Sequence, residues 1–156
     1  MPKKTETLLV PIREVLPGEG KKLTITWEDG YRASVDLATT ISSYSAYAPL
    51  DDDARFRAVT VAEDRWGLDF GDDLEMTTDM LRRMALEQAG ELMSAESFRR
   101  WREAHRLSMA AAARELGISP RSVNYYSGGK RLIPKTIRLA CLGYDANSRG
   151  GGGIRP

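Results

Sequence analysis

Polar and apolar residues alternate along Lys22-Leu23-Thr24-Ile25-Thr26-Trp27, which places Leu23, Ile25 and Trp27 on one face of a strand. Glu28-Asp29-Gly30 follows, and Asp-Gly between two alternating runs is a strong hairpin signal, so residues 31–37 are the expected return strand. Residues 8–15 form a candidate strand ahead of this hairpin. Residues 39–47 read as a short helix or a loop, and residues 57–62 with 65–70 as a second hairpin. From residue 76 to 93 the period changes. Met80, Leu81, Met84, Ala85, Gln88 and Leu92 recur at three-to-four spacing, the mark of a helix with one apolar side, and Thr77 or Thr78 is its expected cap. These elements predict an antiparallel α+β domain over residues 1–90, a sheet plus a helix.

Beyond Gly90 the pattern is one of short helices. Residues 96–105 make the first, with Phe98 and Trp101 inward. Ser108 caps a second over residues 109–116, rich in alanine, and Gly117 ends it as a C′ glycine. Ile118 plugs the corner, Ser119 caps a third helix, and Pro120 occupies its first position, where the missing N–H costs nothing. Gly128-Gly129 stops that helix and Pro134 opens a fourth, with Ile133, Ile137, Ala140, Cys141 and Tyr144 on the core stripe and Leu139 and Leu142 opposite. The expected architecture is therefore the α+β domain followed by an all-α helix-turn-helix domain over residues 91–146. A flexible Gly-rich tail, 147–156, is expected to complete the chain.

Charge sharpens this division. Residues 1–93 carry 11 Lys and Arg against 18 Asp and Glu, a net −7, whereas residues 94–156 carry 12 against 4, a net +8. A basic half of this kind suits a polyanion, because each phosphate it neutralises releases condensed counterions. In the third helix Val123 and Tyr126 point inward, leaving Arg121, Ser122, Asn124 and Tyr125 as candidate base-reading residues. Arginine can bond guanine O6 and N7 together, and asparagine can do the same for adenine. Arg102, Ser108, Lys130, Arg131 and Lys135 flank that helix as candidate phosphate contacts.

Phe98-Arg99-Arg100-Trp101-Arg102-Glu103-Ala104, Leu107-Ser108, Ala113, Leu116-Gly117-Ile118-Ser119 and Gly129-Lys130-Arg131-Leu132-Ile133-Pro134 together resemble the Cro/phage-repressor (Xre-type) helix-turn-helix family over about fifty residues. That resemblance implies a compact helical DNA-binding domain paired across a two-fold axis, its third helix in the major groove. The chain departs from the family at Met109, where a backbone-contacting Gln is common, at Ala112, where a core Leu is usual, and at Ser127, where a Glu often stabilises the helix end. Trp101 can offset the small Ala112 by volume. The first half resembles the bacterial family named domain of unknown function 2442 in its 23–37 hairpin, its Phe56 and Val59 segment and the run from Trp66 to Leu74. That second resemblance implies no chemistry.

Other features read as structural. His105 and Cys141 lack the partners of a catalytic or zinc site, and Asp51-Asp52-Asp53 with Asp69, Asp72 and Asp73 fit neither a calcium loop nor an ordered carboxylate pair. Met76, Met80 and Met84 at helical spacing read as core. With 29% charged and 42% apolar residues, no apolar run near the ~20 residues of a membrane span and no secretory leader, the chain reads as a cytoplasmic globular protein. The expectation is a sequence-specific transcriptional regulator, not an enzyme, without cofactor or metal. It would bind double-stranded DNA as a homodimer, its first domain dimerising or holding a protein partner. The alternative is an antitoxin that neutralises a toxin and autoregulates through its DNA-binding domain.

Overall fold

The computed structural model describes residues 7–149 and divides into two compact units, Met1–Gln88 and Ala89–Pro156. In the first unit β1 (Ile12–Pro17), β2 (Lys22–Trp27) and β3 (Arg32–Asp36) form an antiparallel sheet with β2 in the middle. Its alternation holds as expected, with Leu23, Ile25 and Trp27 fully buried. Gly30 takes φ +90° at the turn, where the Asp29 carboxylate accepts the Tyr31 N–H at 3.1 Å. The first strand lies later than residues 8–15. The ladder begins at Ile12 opposite Trp27, directly after Pro11, which has no N–H to donate, and a bulge skips Arg13 before Glu14 pairs with Thr26.

Helices interrupt the sheets. After α1 (Ala38–Ser43) and a 3₁₀ turn (Ser45–Asp51), Asp52 caps α2 (Asp53–Arg57) by accepting the Ala54 N–H. Arg57 therefore ends a helix and starts no strand. The expected second hairpin is present in shortened form, β4 (Thr60–Val61) and β5 (Gly67–Asp69), and a third strand that the pattern did not show, β6 (Glu75–Thr77), completes the sheet β4-β5-β6. The helix expected over 76–93 is shortened at both ends to α3 (Thr78–Gln88), because residues 75–77 and 92–93 are strands and Gly90 turns with φ +77°. Thr78 ties the unit together. Its hydroxyl accepts the Trp27 indole N–H at 2.9 Å and donates to the Val10 carbonyl at 2.6 Å, joining three segments distant in sequence. The core of this unit is built on Trp27, Leu37, Leu50, Phe56, Leu68, Met76 and Leu81.

The second unit contains β7 (Leu92–Met93), α4 (Ala95–Ala104), α5 (Met109–Leu116), α6 (Pro120–Ser127), β8 (Ile133–Pro134) and α7 (Lys135–Arg149). β7 and β8 pair antiparallel, Leu92 opposite Pro134 and Met93 opposite Ile133. This corrects the expected fold class. Among the described residues three small antiparallel sheets are interleaved with helices, in place of one sheet domain followed by an all-α domain. Two-residue strands leave no measurable alternation, and Pro134, expected to open a helix, is instead the last residue of the strand β8, directly before α7 begins at Lys135. The core packs Phe98, Trp101, Ala112, Ala113, Val123, Tyr126, Ile133, Ile137 and Cys141, while Ala140, expected on that stripe, is exposed. Asn147, Ser148 and Arg149, expected to begin the Gly-rich tail, continue α7; residues 150–156 lie outside the described residues. Among the described residues no helix is long and apolar enough to cross a membrane.

Candidate functional site

Caps, a left-handed glycine and a proline all fall on α5, α6 and the three residues between them. Ser108 Oγ accepts the Ala111 N–H at 3.1 Å to start α5, and Gly117, at φ +69°, stops it. The Ile118 N–H then closes back onto the Ala113 carbonyl at 3.0 Å. Ser119 Oγ takes the Ser122 N–H at 3.1 Å to start α6, with Pro120 at its first position. Val123 and Tyr126 turn into the core, Tyr126 meeting Phe98 edge-on at 5.7 Å. Burying that side turns the other outward: Arg121 and Asn124 are exposed, Ser122 and Tyr125 half-buried.

Four of the predicted residues form one cluster. Arg121 Nε donates to the Tyr125 hydroxyl at 2.8 Å, its guanidinium carbon 5.2 Å from the Tyr125 ring centre. Arg131 brings a second guanidinium to 4.8 Å from the same ring and donates from Nη1 to Ser122 Oγ at 3.3 Å. The chain returns to this face through Gly129, at φ +72°, and through the Lys130 N–H, which bonds the Tyr125 carbonyl at 2.9 Å. Lys130 and Asn124 are exposed beside the cluster in sequence.

The remaining predicted residues lie on other elements. Arg102 is half-buried and donates from Nη1 to the Leu107 carbonyl at 3.1 Å, so its side chain braces the turn between α4 and α5. Lys135 is exposed, 3.8 Å from Glu91, and Ser108 is engaged as a cap. Two features were not legible from spacing. Arg99 donates to the Ser127 carbonyl at 2.7 Å, placing a cation at the C-terminal end of α6, where a basic group is favourable. Arg131 reaches Tyr125 only because the glycine turn reverses the chain, and no fixed sequence interval encodes that approach.

His105 stacks edge-on against Tyr144 at 4.8 Å and pairs with Asp145. Burial, with the neighbouring Asp145 carboxylate, pushes the Cys141 thiol up to about 12. The acidic residues of the first unit are dispersed among local roles: Asp52 caps α2, Asp69 accepts the Gly71 N–H at 2.8 Å, and Asp72 pairs with Arg55 at 3.2 Å. Among the described residues no three His, Cys, Asp or Glu side chains are grouped to hold a metal ion.

No family model matches the chain, so neither the Xre-type resemblance nor that to the domain of unknown function stands as a family assignment. No curated protein matches it either. The chain is similar to a solved structure from Nitrosomonas europaea, that of a proposed DNA-binding protein, NE0471. The two are 34% identical over 97% of this chain and 96% of that one, with a TM-score of 0.54.

Proposed function

Because this chain belongs to the family of the Nitrosomonas europaea protein NE0471, we propose that it binds double-stranded DNA as a sequence-specific, non-enzymatic transcriptional regulator. The observation that carries this reading is the match, over 97% of this chain, to a protein named for DNA binding. The outward face of α6 supports it. In this reading α5 and α6 act as a helix-turn-helix, α6 enters the major groove, and Arg121 and Asn124 read base edges. Lys130 and Arg131 meet phosphates beside them. The net +8 of residues 94–156 supplies the long-range attraction.

A gel-shift series of the full chain on duplexes from its own upstream DNA tests the reading. Discrete complexes on one duplex, resisting competition by scrambled DNA, are expected; equal retention of every duplex would reduce the protein to a non-specific binder. The chain acts as a homodimer in this reading, since one short recognition helix reads only a few base pairs and two-fold pairing doubles the site. Leu139 and Leu142, both about half exposed on α7, are the residues proposed to meet the second copy or a protein partner of the acidic unit. Light scattering at micromolar concentration should give twice the 17.3 kDa chain mass, and a Leu142→Glu variant should shift it toward one.

A further inference from the structure

The bond from Arg121 Nε to the Tyr125 hydroxyl has a directional consequence. A guanidinium can approach guanine O6 and N7 either side-on, through Nε and one terminal nitrogen, or end-on, through Nη1 and Nη2. Nε of Arg121 is occupied, so the end-on edge is the one left to offer. The Tyr125 ring, for its part, carries guanidinium carbons at 5.2 and 4.8 Å and is half-buried. Its hydroxyl oxygen is already accepting a hydrogen bond. Tyr125 thus has the contacts of a side chain that holds others.

We propose that Tyr125 is a positioning residue that fixes Arg121 end-on toward a guanine in the major groove and reads no base itself. The proposal rests on the DNA-binding reading above. An arginine on an exposed helix face samples many rotamers, and the fork is specific only when its orientation is set before binding. Both restraints on Arg121 come from Tyr125, one through the hydroxyl and one through the ring face. The second guanidinium, Arg131, is tied to Ser122 at 3.3 Å and steadies the same ring from the neighbouring loop. Removing the hydroxyl alone should free Nε, and with it the choice between the side-on and end-on edges, while leaving the ring and the charge in place.

The test uses the full-length chain and a library of duplexes with a randomised centre, the bound fraction being sequenced. Wild-type protein, Tyr125→Phe, Arg121→Ala and the double variant are compared, each checked by thermal melting. Wild-type protein should enrich a guanine that Arg121→Ala ceases to select. Tyr125→Phe should lose the same guanine preference, by roughly tenfold to a hundredfold, the worth of one bidentate arginine–guanine pair. Its retention on unselected duplex should stay within about twofold, since no charge is lost. The double variant should match Arg121→Ala. As a second measurement on wild-type protein, 7-deazaguanine at the enriched position, which lacks the N7 acceptor, should cost about tenfold.

Tyr125→Phe with an intact guanine preference would overturn the proposal. So would loss of preference at a base different from the one Arg121→Ala affects, which would make Tyr125 a reader in its own right. Insensitivity of wild-type protein to 7-deazaguanine at every enriched guanine would overturn it without any variant. Failure of wild-type protein to retain any duplex at low salt would instead overturn the DNA-binding reading itself, and this inference with it.

Discussion

Arg82 has no exposed surface, and its terminal nitrogens meet both oxygens of Asp29, at 2.6 and 3.2 Å, with its guanidinium about 5 Å from the rings of Trp27 and Tyr31. Burial pushes the Asp29 carboxyl up, but the Arg82 hydrogen bond, the Tyr31 N–H and the Arg82 charge together outweigh it. They hold that carboxyl below its ordinary 3.8. A depressed carboxylate contributes stability that is present above its unfolded pKa and lost as the pH falls through the folded one. Asp29→Asn should therefore cost about 1.5–3 kcal/mol at pH 7, the worth of hydrogen bonds to a charged group. Denaturant titrations should show the gap between the two proteins closing below about pH 4. A gap unchanged from pH 7 to pH 2 would refute the assignment. The turn half of this arrangement was legible, because Asp-Gly between alternating runs has a local meaning. The other half was not, since an arginine among helical residues reads as a solvated charge until the fold delivers a partner 53 positions away. Tyr125 and Arg131 were hidden in the same way. Each was recognised by type as a nucleic-acid contact, while their mutual packing depends on a glycine reversal that spacing does not encode.

The helices of the second unit were readable to within a residue where both ends carry their own chemistry: Ser108 and Gly117 bound α5, Ser119, Pro120 and Gly128 bound α6. Of the short strands, β4 and β5 were legible only as a hairpin drawn too long and β6 to β8 not at all, since each has two or three residues and a period of two needs roughly four to show itself. β7 and β8 are also closed by residues some forty positions apart, which is why the unit was expected to be all helical. The glycines separate two kinds of cost. A Cβ on Gly117 would meet nothing within 4 Å, so Gly117→Ala should lose only the left-handed penalty, about 1–2 kcal/mol. Ser119→Ala should lose about 1 kcal/mol by removing a cap. On Gly67 a Cβ would sit 2.6 Å from the Met76 carbonyl oxygen, so Gly67→Ala must push β5 and β6 apart. Overpacking of that kind costs about 1–3 kcal/mol or more. Thermal melts of the three variants should rank Gly67→Ala as the most damaging, and an order with Ser119→Ala lowest in stability would contradict the spatial argument.

At the scale of the whole chain, the opposition of −7 and +8 was available by counting, and it bears on partners more than on fold. Lys130→Ala isolates one charge beside the α6 cluster without touching the Tyr125 ring. It should weaken binding to all duplexes alike and reduce the slope of log affinity against log salt by about 0.9, one phosphate contact. An unchanged slope would remove Lys130 from the phosphate set. The lone thiol has a different use. Cys141 is 2% exposed in the core of the Ala89–Pro156 unit, and its thiol is pushed up to about 12, so at pH 8 neither access nor ionisation favours attack. A colorimetric disulfide reagent should therefore react there in molecules whose core has momentarily opened around it. With a single cysteine in the chain, each reacted molecule releases one equivalent of colour, so at reagent concentrations where the rate no longer rises the protein carries its own stopwatch for the excursions of that unit, readable in native buffer without any added label.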